Sequence, residues 1–165
     1  MHIRIDHVVI HVSDWERSNA FYHDVLGAEL IDKGDGSPAR HYRFGDQQFN
    51  VHGPGMSPYP AADRAAEPGG ADLCCVWDGP IEEAVQHLRR HEVEIVEGPA
   101  PRYGGRGGGT SVYFRDPDGS LLEFISYEKT PQSGNKRYAV CRPIAAAVPF
   151  GAAPAHIPGA SGRGP

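Results

Sequence analysis

Long apolar runs are the first thing this 165-residue chain lacks. No stretch approaches the roughly 20 apolar residues that cross a bilayer as a helix. The opening MHIRIDHVVIHV passes straight into strand-like alternation, without the charged and apolar regions of a secretory signal. Cysteine is scarce: of three, two are the adjacent Cys74 and Cys75. That excludes a disulfide framework and leads us to expect a reducing, cytoplasmic setting. An excess of basic residues is absent too, with 16 Lys and Arg against 21 Asp and Glu. Four of those bases, Lys136, Arg137, Arg142 and Arg163, fall after residue 130, where there is no acid. The rest of the chain is therefore strongly acidic, which argues against nucleic acid as a partner.

What is present is periodicity, written twice. Alternation predicts a strand over 2–12 with Ile5, His7, Val9 and His11 on one face and Val8, Ile10 and Val12 on the other. A helix over 14–26 follows, capped by Ser13 or Asp14, with Trp15, Ser18, Phe21, Val25 and Leu26 as its inward stripe. Strands at 28–33, 39–45 and 47–52 complete a first module, residues 1–52. Residues 53–70 are rich in Pro, Gly and Ala and read as a linker. A second module, 71–130, repeats the order: a strand at 72–77, a helix at 80–91, and strands near 93–97, 110–115 and 120–127. Between its last two strands, Arg115-Asp116-Pro117-Asp118-Gly119 is a strong turn signal. The Gly-rich 98–109 is expected as a loop able to close over a ligand, with Tyr103, Arg106, Tyr113 and Arg115 in or beside it. From 131 to 165 no period survives, so an extended or partly disordered tail is expected.

The duplicated positions carry metal-ligand side chains. Adding 65 to residue 7 places His7 on Asp72, and an offset of 71 places His52 on Glu123. Strand parity points all four away from the helices. Two imidazoles and two carboxylates suit a borderline or hard divalent ion such as Fe, Mn, Ni, Co or Zn. A carboxylate between apolar neighbours, as in the Leu122-Glu123-Phe124 run, is costly unless it is paired or bound to metal.

The opening DHVVIHVSDWERSNAFYHDVLGAEL and the closing SVYFRDPDGSLLEF resemble the vicinal oxygen chelate superfamily, which includes glyoxalase I, extradiol dioxygenases, fosfomycin-resistance enzymes and bleomycin-binding proteins. The resemblance covers about residues 3–128. It implies an α+β fold of two tandem βαβββ modules whose curved mixed sheets surround a metal cleft. It also implies one divalent metal held by His7, His52, Asp72 and Glu123, a small-molecule substrate with vicinal oxygens, and a homodimer.

Three functions then compete. In a lyase or isomerase, metal binding acidifies a substrate C–H and Glu123 shuttles the proton, with His11 and Tyr113 as further catalytic candidates. If Asp72 is only a solvated acid, His7, His52 and Glu123 form the two-His, one-carboxylate set of Fe(II) oxygen chemistry, and an extradiol-type dioxygenase is expected. A metal-free drug-binding cleft is the third reading. It would not require good ligands at corresponding points.

Overall fold

Two four-stranded sheets, built alike, form the body of the protein. The computed structural model describes residues 2–32, 34, 40–64 and 66–128; the expected tail at 131–165 lies outside them. In chain order the elements are β1 (His7–His11), α1 (Trp15–Asp24), β2 (Glu29–Asp32), β3 (Arg40–Phe44), β4 (Gln47–His52), β5 (Asp72–Val76), α2 (Ile81–Arg90), β6 (Ile95–Gly104), β7 (Gly107–Arg115) and β8 (Leu121–Ser126). The first sheet has the order β1-β4-β3-β2 and the second β5-β8-β7-β6. In each, the opening strand pairs parallel to the last strand of its module. The α+β fold of tandem βαβββ modules is thus as expected.

Local chemistry sets the boundaries. The first strand begins at His7 rather than residue 2 because its partner begins at Gln47, and His7 faces Gln48. Upstream residues have no strand to bond, and Ile5 is exposed. Asp14 caps α1 by accepting from the Arg17 amide at 2.8 Å, which satisfies one free donor of the first turn. In α2, Glu82 and Glu83 sit in the first turn and Arg89 and Arg90 in the last, both favourable to the helix dipole. Its buried stripe is Ile81, Ala84, Val85 and Leu88, as its spacing predicts. In α1, Tyr22 is the fully buried aromatic, a position outside the predicted stripe.

The Gly-rich segment is not a loop. It forms the outer half of the β6–β7 hairpin, paired down to Gly104 opposite Gly107. Glycine is required there by close approach: a Cβ on Gly109 would meet the Ser126 carbonyl at 2.8 Å, and one on Gly104 would strike the Tyr127 hydroxyl.

The modules pack helix side to helix side. Val25, which caps the C-terminus of α1, belongs to the second core with Leu88, Phe114 and Phe124, and Leu73 of β5 packs against the first core of Ile10, Tyr22, Tyr42 and Val51. The Asp116–Gly119 turn staples the two. Asp116 accepts from the Tyr22 hydroxyl at 3.0 Å and from the Ser120 amide at 2.8 Å. Asp118, whose side chain is 3% exposed, accepts from the Ser13 amide at 2.9 Å, the Ser13 hydroxyl and Arg17 Nη2 at 2.7 Å. Burial, and then the Asp116 charge, push the Tyr22 phenol far above its ordinary range. Because the helix sides meet, the opposite faces of both sheets stay open: Val9, Val76 and Cys74 are all exposed.

Candidate functional site

The open face of the second sheet carries Asp72 and Cys74 from β5, Glu123 from β8 and Tyr113 from β7. Register puts Glu123 between Cys74 on one side and Tyr113 on the other. Both side chains flank its carboxylate closely enough for its charge to raise them. Tyr113 is backed in turn by Arg102, whose Nε donates to the phenol oxygen at 3.1 Å while its Nη2 is ion-paired to Glu97. Burial raises the Tyr113 phenol, and its bond with Arg102 opposes that rise. Cys74 is pushed up to about 12, by burial first and by the Glu123 carboxylate second. So high a value leaves little thiolate near neutral pH, and thiolate is the nucleophilic form. Of the residues singled out from sequence, Asp72, Glu123 and Tyr113 share this face.

The open face of the first sheet carries His7, His11, Gln48, Asn50, His52 and, from β3, His41. Here the two halves of the repeat line up differently from the expectation. Val12 donates its amide to the His52 carbonyl at 2.8 Å, and Trp77 donates to Ile125 at 2.8 Å. Val12 and Trp77 are 65 apart, but His52 and Ile125 are 73 apart, not 71. The residue corresponding to Glu123 is therefore Asn50, and His52 lies one strand pair further on. A two-residue shift keeps every side chain on its own face, so parity alone could not reveal it.

This register separates the two first-module histidines. His7 is the cross-strand neighbour of Gln48, whereas His52 is the neighbour of His11. Four residues of strand span about 13 Å, too far for one ion. His11 and His52 instead meet edge to face, ring centroids 5.1 Å apart. Together with Val9, Pro58, Pro60 and Ala62 they line a largely apolar cavity of about 210 Å³ beneath the linker. His11 is thus a cavity-lining residue.

The donors that remain fit a divalent cation in kind. His7 Nδ1 lies 2.7 Å from Asp6 Oδ1. With Nδ1–H donated to that carboxylate, the Nε2 lone pair is left for an ion, the usual arrangement of a metal-binding imidazole. Asp72 is exposed and Glu123 is half-buried on the same face, both offering oxygen donors. Within one chain, however, no three His, Cys, Asp or Glu side chains among the described residues come together to hold a metal. His41 and Asn50 escaped the sequence reading altogether. Their signal, a polar pair at the position of Tyr113 and Glu123, exists only once the register is known.

Comparison with known proteins agrees with this architecture. The family described as Glyoxalase/Bleomycin resistance protein/Dioxygenase superfamily matches residues 4–124. Virulence protein STM3117 of Salmonella typhimurium is 40% identical over 124 residues, 75% of this chain and 84% of that protein. The integron cassette protein VCH_CASS1 from the mobile metagenome of V. cholerae is 39% identical, with a TM-score of 0.71 over 78% of this chain and 98% of that one. A mutant of the fosfomycin resistance protein FosX from Listeria monocytogenes, complexed with Mn(II) and dihydroxypropylphosphonic acid, shares the fold. It is 21% identical, with a TM-score of 0.53 over 76% of this chain and 90% of that one.

Proposed function

We propose that this chain, which belongs to the Glyoxalase/Bleomycin resistance protein/Dioxygenase superfamily, is a divalent-metal-dependent enzyme whose site is completed by two copies. The observation that carries this reading is the division of donors. One exposed sheet face presents His7 with its imidazole prepared by Asp6, and the other presents Asp72 and Glu123. The helix-side packing of one chain keeps these faces apart. A second copy, laying its first sheet over the second sheet of its partner, joins one imidazole and two carboxylates and covers Val9 and Val76 as well.

The substrate in this reading is a small molecule with vicinal oxygens, and the chemistry is of the lyase or isomerase type. When bound, the metal supplies positive charge that acidifies a C–H beside the held oxygens. The chain's own contribution is orientation. Tyr113 and Cys74 flank Glu123 on either side, and Arg102 with Glu97 holds Tyr113. The Fe(II) dioxygenase reading needs His7 and His52 on one ion, and the register sets them at opposite ends of β1 and β4. A drug-binding reading draws on one feature, the apolar cavity beside His11 and His52.

Subunit mixing tests the proposal. Purified protein should carry about one metal ion per chain by elemental analysis, and His7→Ala and Glu123→Ala should each carry none. Refolded together in equal amounts, the two variants should regain about a quarter of the wild-type content, because about half of the dimers are then mixed and one of the two interfaces in each has all its ligands. Metal retained in both single variants would overturn the ligand assignment. No recovery on mixing would overturn the shared site.

A further inference from the structure

The two open faces correspond strand for strand, and their chemistry differs at one pair. Where the second sheet has Tyr113 beside Glu123, the first has His41 beside Asn50. His41 Nδ1 lies 2.8 Å from Asn50 Oδ1, and Gln48 Nε2 lies 2.7 Å from the same oxygen and 2.9 Å from Nδ1. Gln48 Nε2 donates to Asn50 Oδ1, and His41 Nδ1 is held against this pair, as donor to the oxygen in one tautomer or as acceptor from the amide in the other. Nε2, at the other edge of the ring, is engaged by no hydrogen bond among the described residues. Gln48 is also the cross-strand neighbour of His7. An imidazole held through Nδ1 therefore stands on the same sheet face as His7, two strands away from it.

We propose that His41, in its Nδ1–H form, is the proton-transfer residue of the metal site put forward above, on which this inference rests, and that Asn50 and Gln48 are its positioning residues. In that role Nε2 takes the proton from the hydroxyl-bearing carbon of a 2-hydroxy ketone or aldehyde. The C–H electron pair moves toward the carbonyl and leaves an enediolate, while the proton stays on the imidazolium. Its return to the neighbouring carbon, as the hydroxyl proton passes from one enediolate oxygen to the other, completes an isomerisation with no other reactant consumed. The Nδ1–H bond to Asn50 persists throughout, so the ring does not turn between the two transfers. The surroundings select the substrate class. Gln48 and Asn50 are neutral, and Arg43, on the same face of β3, faces Glu29 at 4.0 Å. A neutral 2-hydroxy carbonyl compound suits this face better than a carboxylate or phosphate.

The test uses hydroxyacetone as the probe and the metal-bearing dimer. Deuterium uptake at its hydroxymethyl carbon in D₂O, followed by proton NMR, should exceed that with buffer and metal alone. His41→Gln should lower it by about 100-fold or more, with metal content and dimer mass unchanged. Gln48→Leu and Asn50→Leu should lower it less. A long-range proton–nitrogen NMR correlation should show the His41 Nδ1–H form in the wild type and the Nε2–H form in Asn50→Leu, a shift that no loss of stability produces. Uptake retained in His41→Gln, absent from the wild type, or lost together with the metal would each overturn the assignment. An unchanged tautomer in Asn50→Leu would overturn the positioning role. Failure of the underlying metal reading shows separately, as a wild type without bound metal.

Discussion

The first and second modules share element order, strand pairing and parity, yet their open faces are chemically opposite. One is built of imidazoles and amides (His7, His41, Gln48, Asn50), the other of carboxylates, a phenol and a thiol (Asp72, Glu123, Tyr113, Cys74). The helix-facing sides show no such divergence. Tyr42 and Phe114 occupy corresponding points and are both fully buried, as are Val51 and, nearly so, Phe124. A packed interior tolerates only apolar residues of fitting volume, whereas an open face is constrained by what it binds. The repeat is therefore retained where it packs and has diverged where it can act.

Three changes would break or sharpen that comparison. The largest effect is expected inside the shared core. Phe114→Ala should cost about 3–5 kcal/mol, read as a lower denaturant midpoint. Since Val25 of the first module packs into that same core, both modules should unfold in one transition. A first module that stays folded after the second has melted would show them to be independent.

Next comes the staple. Asp118→Ala removes three hydrogen bonds to a buried carboxylate and should cost about 1.5–3 kcal/mol, measured by thermal unfolding. A loss below about 0.5 kcal/mol would mean that the turn merely touches α1 without holding it.

The smallest effect concerns reactivity. The Cys74 thiol is exposed but pushed up to about 12, so at pH 8 little of it is thiolate. An alkylating reagent, followed by mass spectrometry of the Cys74 peptide, should label it about 100-fold or more slowly than an ordinary thiol. Glu123→Gln removes a charge that raises this group, so labelling should quicken. An unchanged rate would place Glu123 away from the thiol.

Much of the fold was legible beforehand because its signals are local. The α2 stripe, the Asp14 cap and the Asp116-to-Gly119 turn each depend on residues within one element or a few positions of it. Other features depend on partners distant in the chain. Tyr22 is buried because Asp116, 94 residues on, accepts its hydroxyl. The Gly-rich hairpin looked like a loop because glycine signals loops in general, whereas here Ser126 and Tyr127 press against it.

For the site itself, composition and alternation by themselves put Glu123, Asp72 and His7 on the faces that turn away from the helices. Side chains alternate along any strand, so this follows without knowledge of neighbours. Which residues stand side by side was decided only by the tertiary structure. Hydrogen bonding between β1 and β4 made His52 a partner of His11 and set Asn50 at the position of Glu123. A slide of two residues leaves the pattern of faces untouched and changes every cross-strand neighbour, so only the ladder itself could distinguish the two arrangements.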